Sequence, residues 1–373
     1  MGYLNDEQLL MLEAVKEFNE NELAPRIASD LEQDRLPREL IDRMKELGFL
    51  GITIPQEYGG LGESMVTQAA IEKELAKENV TVAMVGTATL AQNALIRLGT
   101  DEQKQKLLPL IQGEPVGFAI TEPAAGSDVS AMQTTAKRDG DEWVINGQKT
   151  FISFVDQCDY FVVGARTNET GDGGISTFLV PKSAPGFKVG SFFKKLGVHG
   201  SGTAEIFFDG VRVPAINLIG KENKGMHVAL SMLDEARVSV AAFAVGLCEA
   251  AIEKSVEYAK TRIAFGKPLA AKQGLQWYFA DMDARTSAAR ALMYQAARNF
   301  DEGEPVSADA ARAKYVATQA AQFVTDKAVQ ICGGLGLMED FGVERLYRDS
   351  KVLTIIEGTD EILKMVISRD VLK

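Results

Sequence analysis

The sequence predicts a chain in three parts: an N-terminal helical domain, a middle β domain and a C-terminal helical bundle. Apolar residues recur at helical spacing through the first 113 residues. From Val116 to about Pro214 the pattern changes to short β-rich runs separated by turn residues, with no helix between them. From about Asn223 onward, long Ala-rich amphipathic stretches return. The expected domains are therefore 1–113, 114–220 and 221–373.

Asn5 followed by Gln8 is the signature of a capping box, and Leu4, Met11, Val15 and Phe18 then fall on one helical face. Pro37 sits where a first helical turn begins. Leu40, Met44 and Leu47 follow as a face, and Gly48 closes that helix. Ile54–Ser64 reads as a loop from its Pro and Gly content, and further helices run to Gly113. In the middle part, Asp139-Gly140 and Asn146-Gly147 read as hairpin turns on either side of a strand at Trp143–Ile145. Tyr160–Val163, Ser176–Val180 and Ala204–Phe208 are further strands. Strands without crossover helices predict an antiparallel barrel or sandwich. In the last part, helices are expected over Gly225–Ile263, Gln273–Phe300 and Ala308–Ile331. Two shorter helical pieces flank IIEGTDEI, and short connections between long helices predict an antiparallel bundle.

The chain has 373 residues, of which 46% are hydrophobic and 25% charged, so it can bury a large core without covalent staples. Its net charge of −12 argues against nucleic acid or an anionic membrane as partner. The three cysteines, Cys158, Cys248 and Cys332, are far apart and form no C-x-x-C pair, which suits a reducing compartment. With only His199 and His227 available, neither a His-rich metal site nor a His-based triad is expected, and no metal is assigned. No apolar run reaches the roughly 18–20 residues of a membrane span. The N-terminus has no basic or apolar leader, and Asp6 breaks the myristoylation pattern. The expected location is the cytoplasm.

Four segments invite a chemical reading. CGGLGLME (Cys332–Glu339) follows a helix rather than a strand and has Glu339 where a dinucleotide fingerprint needs its third Gly, so it reads as a helix end and turn. No phosphate-binding G-x-x-x-x-G-K-[ST] loop is present. FAITEPAAGSD (Phe118–Asp128) runs from an apolar strand into small and hydroxylated residues. On the residues alone, a ligand-cradling loop and an ordinary strand-to-loop turn are both open. IIEGTDEI (Ile355–Ile362) places the carboxylate of Glu357 between an apolar pair and a flexible Gly, with Thr359 as a helix cap. Apolar surroundings raise a carboxyl's pKa and suit it to act as a base, although an exposed loop acid fits the same letters. TRIAFGKPL (Thr261–Leu269) reads as a corner between two helices, with Arg262 able to pair a phosphate and Phe265 to pack on a ring.

Taken together and in order, these segments resemble the acyl-CoA dehydrogenase family, in its short- and medium-chain-like branch. FAITEPAAGSDVSAM is similar to that family's TEP-x-AGSD signature. QKTFIS (Gln148–Ser153) is similar to its K-x-W-I-T/S segment, and KKLGVHGSGTAEIFFDGVRVP (Lys194–Pro214) to the segment closing its β domain. RIAFGKPL with Gln273, QICGGLG and IIEGTDEI complete the likeness. The resemblance implies an N-terminal helical domain, a middle β domain and a C-terminal four-helix bundle. It also implies bound FAD, with Phe118, Ile120, Thr121, Gly126 and Ser127 on one side of the flavin and pyrophosphate, and Phe151, Ile152 and Ser153 on the other. Arg262, Phe265, Gln273, Gln330, Gly333 and Gly334 would come from a neighbouring subunit, so a homo-oligomer, usually a tetramer, is implied. Thr359 and Glu361 would complete the cofactor site. Ser127, Asp234, Arg237 and Gly358 would face the acyl-CoA.

Glu357 matches the family's base. The implied reaction removes the α-proton of the thioester at Glu357 while the β-hydrogen leaves as hydride to flavin N5, giving a trans-2-enoyl-CoA. The electrons would then pass to an electron-transfer flavoprotein. Some branches place the base on another helix in an L-D-x-E-R pattern; here the stretch is LDEAR, with Ala236 at that position, leaving Glu357 as the candidate. Phe151 stands where most members have Trp and Phe154 where a polar residue is usual, both expected near the flavin edge. His199, in the loop closing the β domain, is expected to be structural or to lie beside the CoA rather than to take a chemical role. Val85–Ala88 is expected near the pocket floor, where small residues permit a bulky or cyclic tail. Three other readings share the fold: an enoyl-CoA reductase of an electron-bifurcating complex, a flavin oxidase, and a catalytically silent scaffold. Ser127 and Arg237 argue against the oxidase, and Glu357 against the scaffold.

Overall fold

A computed structural model describes residues 2–27, 36–87, 89–168 and 174–373. Helix α1 (Asp6–Phe18) starts on the capping box, Asn5 accepting from Gln8 N and Gln8 accepting from Asn5 N, both at 2.9 Å. It buries Leu12, Val15 and Phe18 and runs through a π turn into α2 (Ala24–Arg26). Helix α3 (Arg38–Glu46) follows Pro37 and buries Leu40 and Met44, and Gly48 beyond it takes φ +79°. The Ile54–Ser64 loop holds one 3-10 turn, Gln56–Tyr58. Then come α4 (Met65–Glu78), α5 (Val80–Thr87), α6 (Leu90–Leu98) and α7 (Asp101–Ile111).

The middle part is an eight-stranded sheet. Its strands are β1 (Val116–Ala119), β2 (Thr135–Asp139), β3 (Glu142–Ile152), β4 (Tyr160–Arg166), β5 (Ile175–Pro181), β6 (Phe187–Phe192), β7 (Ala204–Pro214) and β8 (Leu218–Ile219). The order is β6-β7-β3-β2-β4-β5-β8, with β1 added on β4. The sheet is mixed rather than wholly antiparallel. Both β1 and the start of β2 run parallel to β4: Val116–Ala119 pair with Tyr160–Val163 and Thr135 with Arg166, so the two segments follow one another along β4 in the same direction. Asp139-Gly140 is the hairpin turn between β2 and β3. Asn146-Gly147 is not a turn. It lies inside β3 at a register shift against β7, with Gly147 at φ +145° and so close to Thr134 that a Cβ there would lie 2.5 Å from its hydroxyl.

The last part holds α8 (Gly225–Thr261), the short strands β9 (Ile263–Ala264) and β10 (Lys267–Pro268), then α9 (Gln273–Asp301), α10 (Ser307–Cys332), α11 (Val343–Leu353) and α12 (Asp360–Val371). Helix α10 packs on α8, α9, α11 and α12, and α4 of the N-terminal part lies along α8. That last contact is backbone on backbone: a Cβ on Gly246 would sit 2.4 Å from the Lys73 carbonyl. Asp301, at the end of α9, caps α4 by accepting from Met65 N at 2.6 Å and Val66 N at 3.2 Å. One apolar cluster runs through all three parts. No described helix is long and apolar enough to cross a membrane.

Candidate active site

The expected site residues fall in three groups. The first is the loop between α11 and α12. Glu357 has φ +54° and Gly358 φ +96°, so the chain makes two successive left-handed steps. Such a step costs a non-glycine residue about 1–3 kcal/mol and persists only where the surroundings enforce it. Here they do. Arg237 Nε donates to the Glu357 carbonyl at 3.3 Å, and Lys314 Nζ donates to the Gly358 carbonyl at 2.6 Å. Thr359 then caps α12, and Asp360 accepts from Thr318 at 3.2 Å and Gln319 at 2.7 Å on α10.

Asp234, one turn back on α8, pairs with Arg237 at 2.7 Å. Arg237 is only 3% exposed. Its guanidinium is thus aimed at the loop and at Asp234, bracing the Glu357 carbonyl rather than standing open to a ligand. Burial pushes the Glu357 carboxyl above the usual carboxylate range, with Lys314 and Arg237 pulling against it. Burial likewise raises Asp234, against the pull of Arg237. Glu235 of the LDEAR stretch turns the other way. It is buried against Asn93 and salt-bridged to Arg97 at 2.8 Å, so it serves the N-terminal packing.

The second group lines the sheet. Phe118 and Ile120 lead from β1 into the TEP turn, where Glu122 and Ala125 exchange backbone bonds of 2.9 and 3.1 Å. Thr121 is half-buried and its carbonyl accepts from Thr150 N at 3.0 Å; Gly126 and Ser127 beyond are exposed. Nothing lies within 4 Å of the place a Gly126 Cβ would occupy, which leaves room for a ligand against the backbone. Phe151 takes φ +59°, is 65% exposed, and meets Phe193 with ring centroids 5.3 Å apart. Ile152 is buried, and the Ser153 hydroxyl lies 3.3 Å from that of Thr203. Phe154 does not reach an open edge: it is buried in the main core beside Val155 and Cys158. Of the expected pocket floor, Val85 and Gly86 are buried and Ala88 lies outside the described residues.

The third group surrounds a cleft of about 620 Å³ lined by Tyr258, Arg262, Leu269, Cys332, Gly333 and Gly334. TRIAFGKPL is not a plain helix corner. Ile263–Ala264 and Lys267–Pro268 pair as a two-residue hairpin, with Phe265 at φ +52° and Gly266 at φ +75°. That turn needs left-handed backbone at both central residues and favours Asn-Gly; a Phe there is strained. Phe265 is 98% exposed at the tip. The Arg262 guanidinium has no hydrogen-bond or ion-pair partner among the described residues. Gln273 and Gln330 are exposed nearby in sequence, and Gly333–Leu337 forms a 3-10 turn, as its glycines suggested. A free guanidinium and open glycines suit the charge and bulk of a dinucleotide pyrophosphate.

Two lysines with no exposed surface escaped the sequence reading. Lys149 pairs with Glu122 at 2.7 Å and also donates to the Ile120 carbonyl at 3.0 Å. Its burial was hidden because a register shift in β3 puts Lys149 and Thr150 inward in succession, breaking the alternation. Lys314 did carry a signal. It falls on the same α10 face as Ala310, Ala317 and Ala321, all buried.

Family models of acyl-CoA dehydrogenase match nearly the whole chain: the N-terminal domain over residues 5–114, the middle domain over 117–211 and the C-terminal domain over 223–372. The acryloyl-CoA reductase (NADH) of Anaerotignum propionicum is 44% identical over 377 residues, which is 99% of this chain and 95% of the relative. The solved butyryl-CoA dehydrogenase of Megasphaera elsdenii superposes with a TM-score of 0.96 at 39% identity, covering 99% of each chain. A chain solved in work on the electron transferring flavoprotein of Acidaminococcus fermentans and flavin-based electron bifurcation has a TM-score of 0.96 at 40% identity, again over 99% of each.

Proposed function

The chain belongs to the acyl-CoA dehydrogenase family, and from that premise we propose that Glu357 exchanges the α-proton of a bound acyl-CoA. The protein is a FAD-dependent oxidoreductase acting on acyl-CoA thioesters. The observation that carries the role of Glu357 is its loop. A single carboxylate sits on strained backbone, braced from α8 by Arg237 and from α10 by Lys314, in surroundings that raise its proton affinity. A base must bind the proton it abstracts firmly enough to compete with a weakly acidic carbon, and burial supplies that.

Bound FAD would supply the acceptor for the β-hydrogen as hydride. This chain's residues do the rest. Phe118, Ile120, Thr121, Gly126 and Ser127 would hold one side of the cofactor, and Phe151, Ile152 and Ser153 the other. Thr359 and Glu361 would close the site, and Ser127, Asp234, Arg237 and Gly358 would order the thioester, the two charged residues through the loop they brace. Arg262, Phe265, Gln273, Gln330, Gly333 and Gly334 would serve the FAD of a second copy, in a homo-oligomer. The exposed Phe265 and the unpaired Arg262 beside an open cleft support that assignment. An electron-transfer flavoprotein is the proposed redox partner. The three buried, unpaired thiols suit a reducing compartment, and the cytoplasm is the proposed location.

The same loop can run in reverse, Glu357 returning a proton to the α-carbon of an enoyl-CoA. The likeness to an acryloyl-CoA reductase favours keeping this second reading. Anaerobic titration separates the two. Acyl-CoAs of graded length should bleach the oxidised flavin, and enoyl-CoAs should restore its colour after chemical reduction. Comparing both rates with an electron-transfer flavoprotein present gives the working direction. Silence in both experiments with every acyl group would overturn the assignment.

A further inference from the structure

We propose that Lys314 is a positioning residue for the base: its ammonium holds the Gly358 carbonyl and its charge sets the proton affinity of Glu357. This rests on the reading of Glu357 as the base. The side chain of Lys314 is fully enclosed, and its Nζ lies 2.6 Å from the Gly358 carbonyl, the peptide that follows the Glu357 carboxylate. A lysine is rarely sealed in a helix bundle unless it is paired. The groups that act on it come from three elements: Asp360 on α12, Glu357 in the loop and Arg237 on α8. Asp360 is already held by Thr318 and Gln319, so the direct bond of Lys314 is to the loop backbone. Arg237 occupies the neighbouring carbonyl. Two cations on two helices therefore fix two successive peptides in left-handed backbone. They also lie where each favours the ionised form of Glu357. Desolvation of Lys314 is severe, and its pKa falls to about 8, so the ammonium is kept at some cost in folding.

The test compares wild type with Lys314→Met, which keeps length and apolar bulk and removes donor and charge. Two readouts are taken on FAD-loaded protein. One is the pH dependence of flavin bleaching by acyl-CoA. The other is an infrared titration of the carboxyl band that disappears in Glu357→Gln, which needs no turnover. In Lys314→Met the Glu357 midpoint should rise by about one pH unit, since a nearby opposite charge shifts a carboxyl by that order. The acid limb of the bleaching rate should move with it, and the limiting rate should fall about tenfold or more. FAD content should be unchanged. Lys314→Gln is the second variant if Met is not accommodated. An unmoved midpoint with a rate within threefold of wild type overturns the positioning role and leaves the base reading intact. Near-normal bleaching by Glu357→Gln removes the base reading itself. If neither lysine variant folds, Lys314 is a folding determinant and the proposal falls.

Discussion

Lys149 Nζ lies 2.7 Å from a Glu122 carboxylate oxygen, and both side chains are sealed from solvent. Glu122 also accepts from Gln133 N at 2.7 Å and Thr134 N at 3.0 Å. The pair therefore ties β3 to the segment that carries Thr121, Gly126 and Ser127. Burial lowers the Lys149 pKa to about 8 against the pull of Glu122, whose own carboxyl stays below its ordinary value because Lys149 and its hydrogen bonds outweigh desolvation.

Breaking this pair from one side should cost more than removing both charges. Lys149→Met leaves a buried carboxylate without its cation and should lower stability by about 3–5 kcal/mol. Adding Glu122→Gln should recover part of that loss, because it removes the buried uncompensated charge while the amide oxygen still accepts from one of the two backbone N–H groups. Denaturant unfolding of the single and double variants reads the difference. A double variant no more stable than Lys149→Met alone would show that the ion pair is not the source of the loss.

The stability of the N-terminal part should fall as pH rises, and Glu72 is the reason. This side chain on α4 is buried, and desolvation first, then the charge of Glu235, raises its pKa to about 8, against hydrogen bonds from Ser239 and Gln68. One of its oxygens has no partner. A carboxyl whose folded pKa is raised binds its proton more tightly when folded. Its contribution is thus complete below the unfolded value near 4.5 and is lost as pH climbs through about 8. Glu72→Gln removes the titration while keeping an acceptor for Gln68 and Ser239. The melting temperature of Glu72→Gln relative to wild type should therefore increase between pH 5 and pH 8.5. A constant difference across that range would mean that Glu72 does not titrate within it.

What the sequence showed and what it hid divide along physical lines. Helix limits were legible because capping and periodicity are local: Asn5 with Gln8, Pro37 and Gly48 all act where they were read. The three long C-terminal helices lie within a residue or two of their expected limits for the same reason. Asn146-Gly147 misled because the same dipeptide serves a hairpin turn and an in-strand bulge, and only the pairing of β3 with β7 separates them. The parallel placement of β1 and β2 on β4 depends on contacts far apart in the chain and leaves no local mark. Phe265 was legible as a ring-bearing residue, but not as the tip of a hairpin. A Phe at φ +52° defies turn propensity, and such conflicts gather where function overrides local preference. Glu357 at φ +54° is the same kind of conflict.

Arg262 should matter to the cofactor more than to the fold. It is exposed on the rim of the cleft shared with Gly333 and Gly334, so Arg262→Ala should leave the melting temperature of the cofactor-free chain nearly unchanged. A charge-assisted bond to a phosphate contributes roughly 1.5–3 kcal/mol, so the dissociation constant for FAD should rise by about 10- to 100-fold. Flavin fluorescence on dilution, alongside sedimentation to follow assembly, measures both effects. Unaltered FAD retention in an intact oligomer would take Arg262 out of the cofactor site.

The decisive substitution is Glu357→Gln. The amide has nearly the same shape, so the loop, its two carbonyl bonds to Arg237 and Lys314, and the binding of FAD and acyl-CoA should all survive. It cannot take a proton from carbon, and flavin bleaching by acyl-CoA should slow by about 10²–10⁴, the range of a positioned base. The loss should sit in the reductive step rather than in KM, because binding is untouched. The wild type should also show a pH signature. Burial raises the Glu357 carboxyl, so the reductive rate should climb with pH through a midpoint above the ordinary glutamate value as the base ionises. The variant should lack this limb. Stopped-flow bleaching across the pH range tests both expectations at once. A Glu357→Gln rate within about threefold of wild type, on a curve of the same shape, would place the base elsewhere.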